Sequence, residues 1–395
     1  MYPKVRFRGF DEPWKKVKLG EIATTYSGGT PKAGNKKYYN GLIPFIRSGE
    51  IHSNKTELFI SEAGLKNSSA KMVTKGDLLY ALYGATSGEV DISKINGAIN
   101  QAVLAIIPKQ YNPYIISLLL SKKKDAILSK YLQGGQGNLS AEIVKSIKLI
   151  LPSKNEESSL YPLFKVLDNL LSLQHRKMEL ENLTSKAIYN YLFDKNKPFY
   201  FKDNKTKKVF LKELGTTYSG LSGKNKTDFG HGKAKYITYL NVNKNTIANH
   251  NLLDLIEIDK KQNEVLNGDI LFTISSETPE EVGLASLWPY DDTNIYLNSF
   301  CFGFRPNSKI NNLWLAYELR SLKIRKNMYK LAQGISRYNL SKKSVLNLQV
   351  DVPSDAEQNF DSKFVKLINI QTKFLSNERN ELLLLKKFLL QNLFI

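Results

Sequence analysis

The chain has 395 residues, of which 42% are hydrophobic and 24% charged, and its formal net charge is +20 at pH 7. This balance excludes a mainly disordered chain, and the length allows two to three ordinary domains. The excess of lysine and arginine is spread over both halves of the chain. A folded chain this basic is typical of polyanion binders, with nucleic acid the leading candidate.

The single cysteine, Cys301, excludes an internal disulfide framework and any zinc site built from cysteine clusters. The first residues lack the apolar region of a secretory signal. The longest apolar stretches, residues 114–120 and 382–385, are too short to span a bilayer. We therefore expect a soluble, cytoplasmic protein.

The motifs of the common enzyme classes are absent from the sequence. No P-loop, no strand–GxGxxG–helix and no Asp/Asn-Pro-Pro-Tyr/Phe motif occurs, and the four histidines show no metal-binding spacing. Asp77 and Asp269 each follow a glycine before a strand, which favours a role in a turn. The sequence predicts no catalytic, cofactor-binding or metal-binding residue, and we expect that the chain is not an enzyme.

The chain is an internal duplication. Residues 16–28 return as residues 208–220, at an offset of 192, and residues 138–140 return as 339–341, at an offset of 201. The matches keep their order along the whole half, as two copies of one module with small insertions would. A period this long is unlike that of a solenoid, so each copy is predicted to be a complete unit.

Each copy has two parts that differ in composition. The first part is rich in Gly, Asn, Ser, Thr and Tyr, and its short apolar runs predict strands at 42–46, 77–83, 101–107, 236–242, 269–274 and 299–304. One apolar helix is predicted after them in each copy, at 113–131 and 313–331. These features indicate a mixed α/β domain of about 150 residues.

The second part of each copy is predicted to be one long helix, over 156–193 and 357–394. In the second copy the predicted heptad seam is Ile368, Gln371, Leu375, Glu378, Leu382, Leu385, Leu389 and Asn392. The equivalent positions of the first copy are Leu167, Leu170, Gln174, Lys177, Glu181, Thr184, Ile188 and Tyr191. Because such a stripe has to be buried, each helix is the obvious partner of the other.

Three pairs of polar loops are predicted to contact nucleic acid. Loop one follows the repeated Thr-Thr-Tyr-Ser-Gly, at 28–39 and 220–227. Loop two ends the Gly-Asp strand, at 83–88 and 273–277. Loop three, at 133–140 and 333–341, contains a repeated Asn-Leu-Ser whose serine could cap a helix. Solvated loops and ordinary turns are the alternative interpretation. The predicted contacts are Thr30, Lys32, Asn35, Lys36, Lys37, Tyr83, Thr86, Gln136, Asn138, Lys224, Asn225, Lys226, Thr273, Ser275, Ser276, Ser336, Arg337 and Tyr338.

Over its whole length the chain resembles the DNA specificity subunit of a Type I restriction–modification system. The resemblance rests on residues 3–10 and 14–22, on Gly76-Asp77-Leu78-Leu79 and Gly268-Asp269-Ile270-Leu271, and on Pro353 followed by Glu357-Gln358. At the first long helix the pair is Glu156-Glu157, so the usual glutamine is missing there, and a polar contact could be lost with it.

The resemblance implies an α+β fold, a tandem duplication of a target-recognition domain followed by a long helix, with the two long helices packed as an antiparallel coiled coil. The domains would be recognition domains at 1–155 and 208–356, helices at 156–194 and 357–395 that act as spacer and docking site, and a linker at 195–207.

The resemblance also implies the function. The chain would direct methyltransferase and endonuclease subunits to a bipartite, asymmetric target in double-stranded DNA. Its partners would be two methyltransferase subunits and two restriction/translocase subunits. S-adenosylmethionine, ATP and Mg would be bound by those partners and none of them by this chain.

The residues alone leave three other interpretations of the function open. A stand-alone architectural or regulatory DNA-binding protein would explain the charge and the duplication equally well, but the amphipathic helices less well. A specificity component that works with a fused nuclease–methyltransferase is a second alternative. A coiled-coil spacer that binds no nucleic acid is a third, and the basic loops argue against it.

Overall fold

The computed structural model describes residues 1–132, 138–193, 206–307, 309–334 and 337–395. Within these ranges no helix is both long enough and apolar enough to cross a membrane. Nor do three or more His, Cys, Asp or Glu side chains of these ranges gather as they would around a metal ion.

The chain divides into two compact units. Unit 1 consists of Met1–Arg176 together with Asn377–Ile395, and unit 2 consists of Lys177–Ser376. The borders of these units lie within the two long helices. The domain limits given by the sequence place each whole helix outside the globular parts, and they remain a prediction.

The first repeat forms short strands, short helices and one long helix. Its strands are β1 (Lys15–Lys18), β2 (Ala23–Ser27), β3 (Tyr39–Ile46), β4 (Phe59–Ile60), β5 (Lys71–Val73), β6 (Leu78–Ala81), β7 (Val90–Ile92), β8 (Gly97–Ile99), β9 (Val103–Pro108) and β10 (Lys148–Leu151). Its helices are α1 (Leu19–Ile22), α2 (Glu62–Lys66), α3 (Pro113–Tyr131), α4 (Ala141–Ser146) and α5 (Lys154–Leu192).

The second repeat has a similar order of elements, with α7 between β13 and β14 and two helices in place of α3. Its strands are β11 (Lys207–Phe210), β12 (Gly215–Ser219), β13 (Phe229–Ile237), β14 (Leu253–Ile256), β15 (Ile270–Thr273), β16 (Ser275–Ser276), β17 (Ala285–Leu287), β18 (Ile295–Leu297), β19 (Cys301–Pro306), β20 (Tyr338–Asn339) and β21 (Gln349–Val352). Its helices are α6 (Leu211–Leu214), α7 (Tyr239–Lys244), α8 (Asn312–Leu319), α9 (Leu322–Leu331), α10 (Lys342–Leu346) and α11 (Asp355–Leu393).

The duplication extends to strand pairing. The sheet order β2-β9-β6-β7 in the first repeat matches β12-β19-β15-β17 in the second. The register matches as well, since Ala23 pairs with Pro108 and Gly215 pairs with Pro306. In both repeats a second sheet carries one parallel pair, β3 with β8 and β13 with β18. The fold class inferred from the sequence is therefore confirmed.

Two sequence predictions in the second repeat were wrong, and a capping side chain explains each error. The strand predicted at 236–242 ends at Ile237, because the Thr238 hydroxyl accepts a hydrogen bond from the Asn241 amide and starts α7. The helix predicted at 313–331 is two helices, α8 and α9. Ser321 separates them, and its hydroxyl accepts from the Ile324 amide.

The long helices begin two residues earlier than predicted. α5 begins at Lys154 and α11 at Asp355. The Ser153 and Ser354 hydroxyls, just before these helices, accept hydrogen bonds from the amides of Glu156 and Glu357 at 3.4 Å. Each helix is therefore capped by the serine that follows its proline.

The missing glutamine at the first long helix changes one hydrogen bond and keeps another. Gln358 accepts from the Asn311 amide at 2.9 Å and donates to the Pro353 carbonyl at 2.9 Å. Glu157, its counterpart, accepts from the Asn112 amide, but an ionised carboxylate has no proton to donate. Burial raises the pKa of Glu157 above its ordinary value.

Burial along α11 shows a seam that differs from the predicted one. Six of the eight predicted positions are buried or half-buried: Ile368, Leu375, Glu378, Leu382, Leu389 and Asn392. Gln371 and Leu385 are exposed, and the seam also includes Thr372, Arg379, Lys386 and Leu393. The equivalent buried or half-buried positions of α5 are Leu160, Phe164, Leu167, Leu171, Gln174, Met178, Glu181, Ser185, Ile188 and Leu192.

Within unit 1 the first part of α5 packs against the last part of α11. The contacting residues rise in number along α5 while their partners fall in number along α11, so the two helices are antiparallel in this unit. Three contacts show it: Phe164 with Phe394 (ring centroids 5.2 Å), Asp168 with Lys386 (2.5 Å) and Gln174 with Glu378 (2.9 Å). In unit 2, Ile188 and Leu192 share a core with Val365.

A buried carboxylate ties the N-terminal segment to the start of α5. Glu156, only 1% exposed, accepts two hydrogen bonds from Arg6, at 2.8 and 2.7 Å, and one from the Trp14 indole at 2.8 Å. Trp14 in turn packs edge-on against Phe394 at 5.9 Å between ring centroids. The N-terminus, α5 and the end of α11 therefore meet in one core of unit 1.

We predict that Glu156→Ala lowers the free energy of unfolding by about 3 kcal/mol, because it leaves the Arg6 charge and the Trp14 N–H without their partner. Urea unfolding followed by tryptophan fluorescence measures this. Glu142→Ala is the matched control. Its exposed ion pair with Lys145 predicts a loss below about 1 kcal/mol. Equal losses in the two variants would contradict the anchoring role of Glu156.

Candidate nucleic-acid interface

In each repeat, loops one and two contact one turn, and loop three pairs with loop two. This central turn comprises residues 100–102 in the first repeat, between β8 and β9, and residues 298–300 in the second, between β18 and β19. On one side of it loop one leaves the sheet, and on the other side loop two begins. Loop three then pairs with loop two. The arrangement is the same in both repeats.

Backbone hydrogen bonds establish this arrangement in the first repeat. The Gly29 amide donates to the Ile99 carbonyl at 3.2 Å, and the Thr30 hydroxyl donates to the Gln101 side chain. The Leu82 amide donates to the Ala102 carbonyl at 2.8 Å, and the Leu139 amide donates to the Leu82 carbonyl at 2.8 Å.

The second repeat reproduces these bonds at equivalent residues. The Leu221 amide donates to the Leu297 carbonyl at 2.7 Å, and the Ile274 amide to the Phe300 carbonyl at 2.9 Å. The Leu340 amide donates to the Ile274 carbonyl at 2.9 Å. The same backbone framework therefore presents different side chains in the two repeats.

Glycine is required where loop one leaves the sheet. A Cβ on Gly28 would lie 1.8 Å from the Ile99 carbonyl oxygen, and one on Gly220 would lie 2.1 Å from the Asn298 carbonyl oxygen. Real side chains do not tolerate such distances. The close approach fixes where the loop starts in both repeats.

Loop one of the first repeat presents three exposed lysines, Lys32, Lys36 and Lys37. None has an ion-pair partner among the residues that the structure describes. Asn35 is half-buried, and its side-chain oxygen accepts from the Lys37 amide at 3.1 Å, so it caps the short turn that carries Lys36 and Lys37. Three uncompensated cations on a preformed turn suit a phosphate backbone.

Loop one of the second repeat is more nearly neutral. Lys224 forms an ion pair with Asp259 at 2.7 Å, which lowers the pKa of Asp259 to about 2. Asn225 caps the following turn, with its side-chain oxygen 2.9 Å from the Thr227 amide. Lys226 is exposed. Sequence reasoning missed Asp259, because it lies 35 residues from Lys224 and only the fold brings the two together.

Loop two does not present all of its predicted contacts to solvent. Thr273 is fully buried; its hydroxyl donates to the Glu281 carbonyl at 2.8 Å and accepts from the Leu284 amide at 3.0 Å. Its assignment as a DNA contact is therefore corrected to a structural role. In the first repeat Tyr83 and Thr86 are half-buried, and the Thr86 hydroxyl donates to the Tyr83 carbonyl at 3.3 Å.

Loops two and three are joined at equivalent pairs, Tyr83 with Asn138 and Ser275 with Asn339. Tyr338, half-buried, pairs with Ser276. Asn138 and Arg337 are exposed. Gln136 and Ser336 lie outside the described residues.

Two structural roles predicted from the sequence are confirmed near these loops. Ser140 and Ser341 cap helices, with hydroxyls accepting from the amides of Ile143 at 3.2 Å and Ser344 at 3.0 Å. Asp77 and Asp269 hold turns, each accepting from a backbone amide three residues earlier.

The sequence reasoning missed Phe300, which is 53% exposed at the central turn. The Arg337 guanidinium lies over its ring, 5.8 Å from the centroid. The only sequence signal was an aromatic residue at a polar turn, in a place that was assigned to a strand.

Comparison with known proteins agrees with the duplication. The family model "Type I restriction modification DNA specificity domain" matches residues 11–182 and again 203–384. Among curated proteins, the MjaVIII specificity subunit of Methanocaldococcus jannaschii is 22% identical, covering 95% of this chain and 91% of that protein. The MjaIX specificity subunit of the same organism is 27% identical, and the match covers 54% of this chain and 53% of that protein.

Solved structures share the fold. A Type I restriction–modification S subunit from M. genitalium superposes with a TM-score of 0.63, at 17% identity, covering 100% of this chain and 99% of that one. A chain from a study of assembly and conformational transition in the type I R-M system gives 0.60, at 14% identity, covering 96% and 97%. With both repeats matched by its model, the chain belongs to the Type I restriction–modification DNA specificity family.

Proposed function

We propose that this chain is the non-catalytic subunit that recognises a bipartite, asymmetric site in double-stranded DNA and directs methyltransferase and endonuclease subunits to it. The observation that carries the proposal is the repeated framework of three loops with different side chains. Because the framework is present twice, the chain has two DNA-recognition surfaces with the same backbone geometry. Because the two surfaces carry different side chains, they would recognise two different half-sites.

The charge of the loops supports binding to a phosphate backbone. Lys32, Lys36 and Lys37 are uncompensated among the described residues, and the whole chain carries +20. Such cations contribute affinity without sequence preference, because they displace counterions from DNA. Sequence preference would then come from the side chains around the central turn.

The long helices carry matched apolar stripes that suit partner subunits. In unit 1, Val166 and Leu173 of α5 are 55% and 61% exposed. In unit 2, their equivalents Leu367 and Phe374 of α11 are 63% and 60% exposed. Contiguous exposed apolar residues of this kind are typical of protein interfaces. Two equivalent stripes would accept two copies of one methyltransferase subunit.

Two restriction/translocase subunits would complete the restricting complex. S-adenosylmethionine, ATP and Mg would be bound by the partner subunits. The methyltransferase chemistry needs a base extruded into a pocket of the partner, so this chain would position DNA and leave the reaction to others.

The central experiment is co-expression of the chain with the methyltransferase subunit of the same genome, followed by single-molecule sequencing of methylated DNA. We expect methylation at one motif of two parts separated by a fixed gap. A complex that methylates nothing, or an ungapped motif, would contradict the proposal. DNA binding without any complex would favour a stand-alone DNA-binding protein.

We predict that Lys36→Ala weakens binding of all duplexes alike and reduces the slope of log affinity against log salt by about 1. Lys224→Ala should change that slope less, because Asp259 already neutralises Lys224. Fluorescence anisotropy of the purified complex across a salt series measures both slopes. Equal changes would show that the Lys224–Asp259 pair opens on DNA.

We predict that Leu367→Asp abolishes co-purification of the methyltransferase subunit while circular dichroism and thermal unfolding stay unchanged, because the side chain is exposed. Leu322→Asp is the control, since Leu322 is 59% exposed but lies on α9 and not on a long helix. If the Leu367→Asp variant co-purified as much methyltransferase subunit as the wild type, the stripe would not be part of the interface.

A further inference from the structure

A pocket of about 300 Å³ lies within unit 2 where loops two and three meet. It is lined by Tyr239, Ser275, Ser276, Glu277, Glu281, Phe300 and Arg337. Resting on the proposed function, we propose that this pocket reads a G·C base pair in one half-site, with Glu277 accepting from the cytosine amino group and Arg337 donating to guanine.

The pocket keeps opposite charges close without pairing them. Glu277 and Arg337 both line it, yet neither carboxylate nor guanidinium has an ion-pair partner in the described part of the chain. Arg337 is steadied instead by the Phe300 ring, 5.8 Å from its centroid. Both charged groups are therefore available to a ligand that offers a donor beside an acceptor.

The second carboxylate of the pocket is already engaged. Glu281 accepts from the Ser276 hydroxyl at 3.1 Å and lies 3.7 Å from the Lys244 ammonium. The first repeat has the same arrangement at equivalent positions, where Glu89 lies 3.2 Å from His52. This glutamate is a shared part of the framework, which leaves Glu277 as the distinguishing carboxylate.

A carboxylate on a DNA-binding surface is repelled by phosphates, so it is favourable only where it accepts a hydrogen bond from a base. In the major groove cytosine offers its N4 amino group for this, and the paired guanine offers N7 and O6 to arginine. One G·C pair thus presents the donor and the acceptors that Glu277 and Arg337 require. Adenine also has an amino group, but its N7 needs a donor that a carboxylate lacks, so the amide of glutamine suits it better.

Two buried hydroxyls add polar groups that need a ligand or water. Tyr239 Oη and Ser275 Oγ are buried and have no hydrogen-bond partner among the described residues. Buried polar atoms are seldom left so in folded proteins. Both belong to residues that line the pocket.

Two residues of the pocket, Glu277 and Phe300, have no chemical equivalent in the first repeat. At the positions equivalent to Glu277 and Phe300, the first repeat has Ala85 and Ala102. The first repeat therefore lacks both the carboxylate and the aromatic support. Only one half-site is expected to contain a G·C pair read in this way.

The test uses the co-purified complex with the methyltransferase subunit and selection from a randomised duplex library. The wild-type complex should select a gapped motif with a G·C pair in one half. Glu277→Gln should reduce the preference for that pair about tenfold and admit A·T there, with the other half unchanged. Glu280→Gln is the control; it makes the same charge change in the same loop, but Glu280 does not line the pocket.

Arg337 is tested by removing the guanine acceptor. Replacing the selected guanine with 7-deazaguanine should weaken binding of the wild-type complex about fivefold and leave Arg337→Ala unaffected. A gapped motif that neither variant changes, or that contains no G·C pair, would overturn the pocket proposal and leave the proposed function standing. Failure of the wild-type complex to select any gapped motif would overturn both.

Discussion

The need to bury the seams of two long helices governs this structure. A helix of 39 residues with an apolar seam cannot be stable alone in water, and here each seam is covered in part within unit 1 and in part within unit 2. In unit 1 the cover comes from both ends of the chain, since Phe394 packs against Phe164 and Trp14. Residues 377–395 are therefore part of the first unit, although they belong to the second repeat. The first unit therefore cannot be completed until residues 377–395 have been made.

Periodicity in the sequence predicted the seam of α11 and six of the eight positions assigned to it are buried or half-buried. Ile368, Leu375, Leu382 and Leu389 are the large apolar residues that a search for spacing detects. The search missed Thr372, Arg379 and Lys386, whose long or polar side chains are half-buried. Apolarity pointed instead to Leu385, which is exposed. Aliphatic stems of charged residues at a seam leave no signal in the sequence.

The recognition loops were found because they recur, but their roles depend on tertiary contacts. Recurrence located Lys36 and Arg337 on exposed surface. It could not show that Lys224 is neutralised by Asp259, because the two residues are distant in the sequence. Nor could it show that Thr273 is buried, because recurrence does not indicate how exposed a side chain is. The pairing of Ser275 with Asn339, which joins loops two and three beside the pocket, connects residues that no local pattern links.

The glycine at the start of loop one has a consequence for engineering new specificities. Gly28 cannot accept a Cβ, and at the other end the Tyr39 hydroxyl is held 2.6 Å from the Pro31 carbonyl. The chain between these two points already differs in length and composition between the repeats. It can therefore be exchanged as a cassette whose ends, including Gly29 and the buried Pro31, keep their sequence. A library confined to the exposed residues 32–34, 36 and 37 would change the surface offered to DNA without disturbing the sheets beneath.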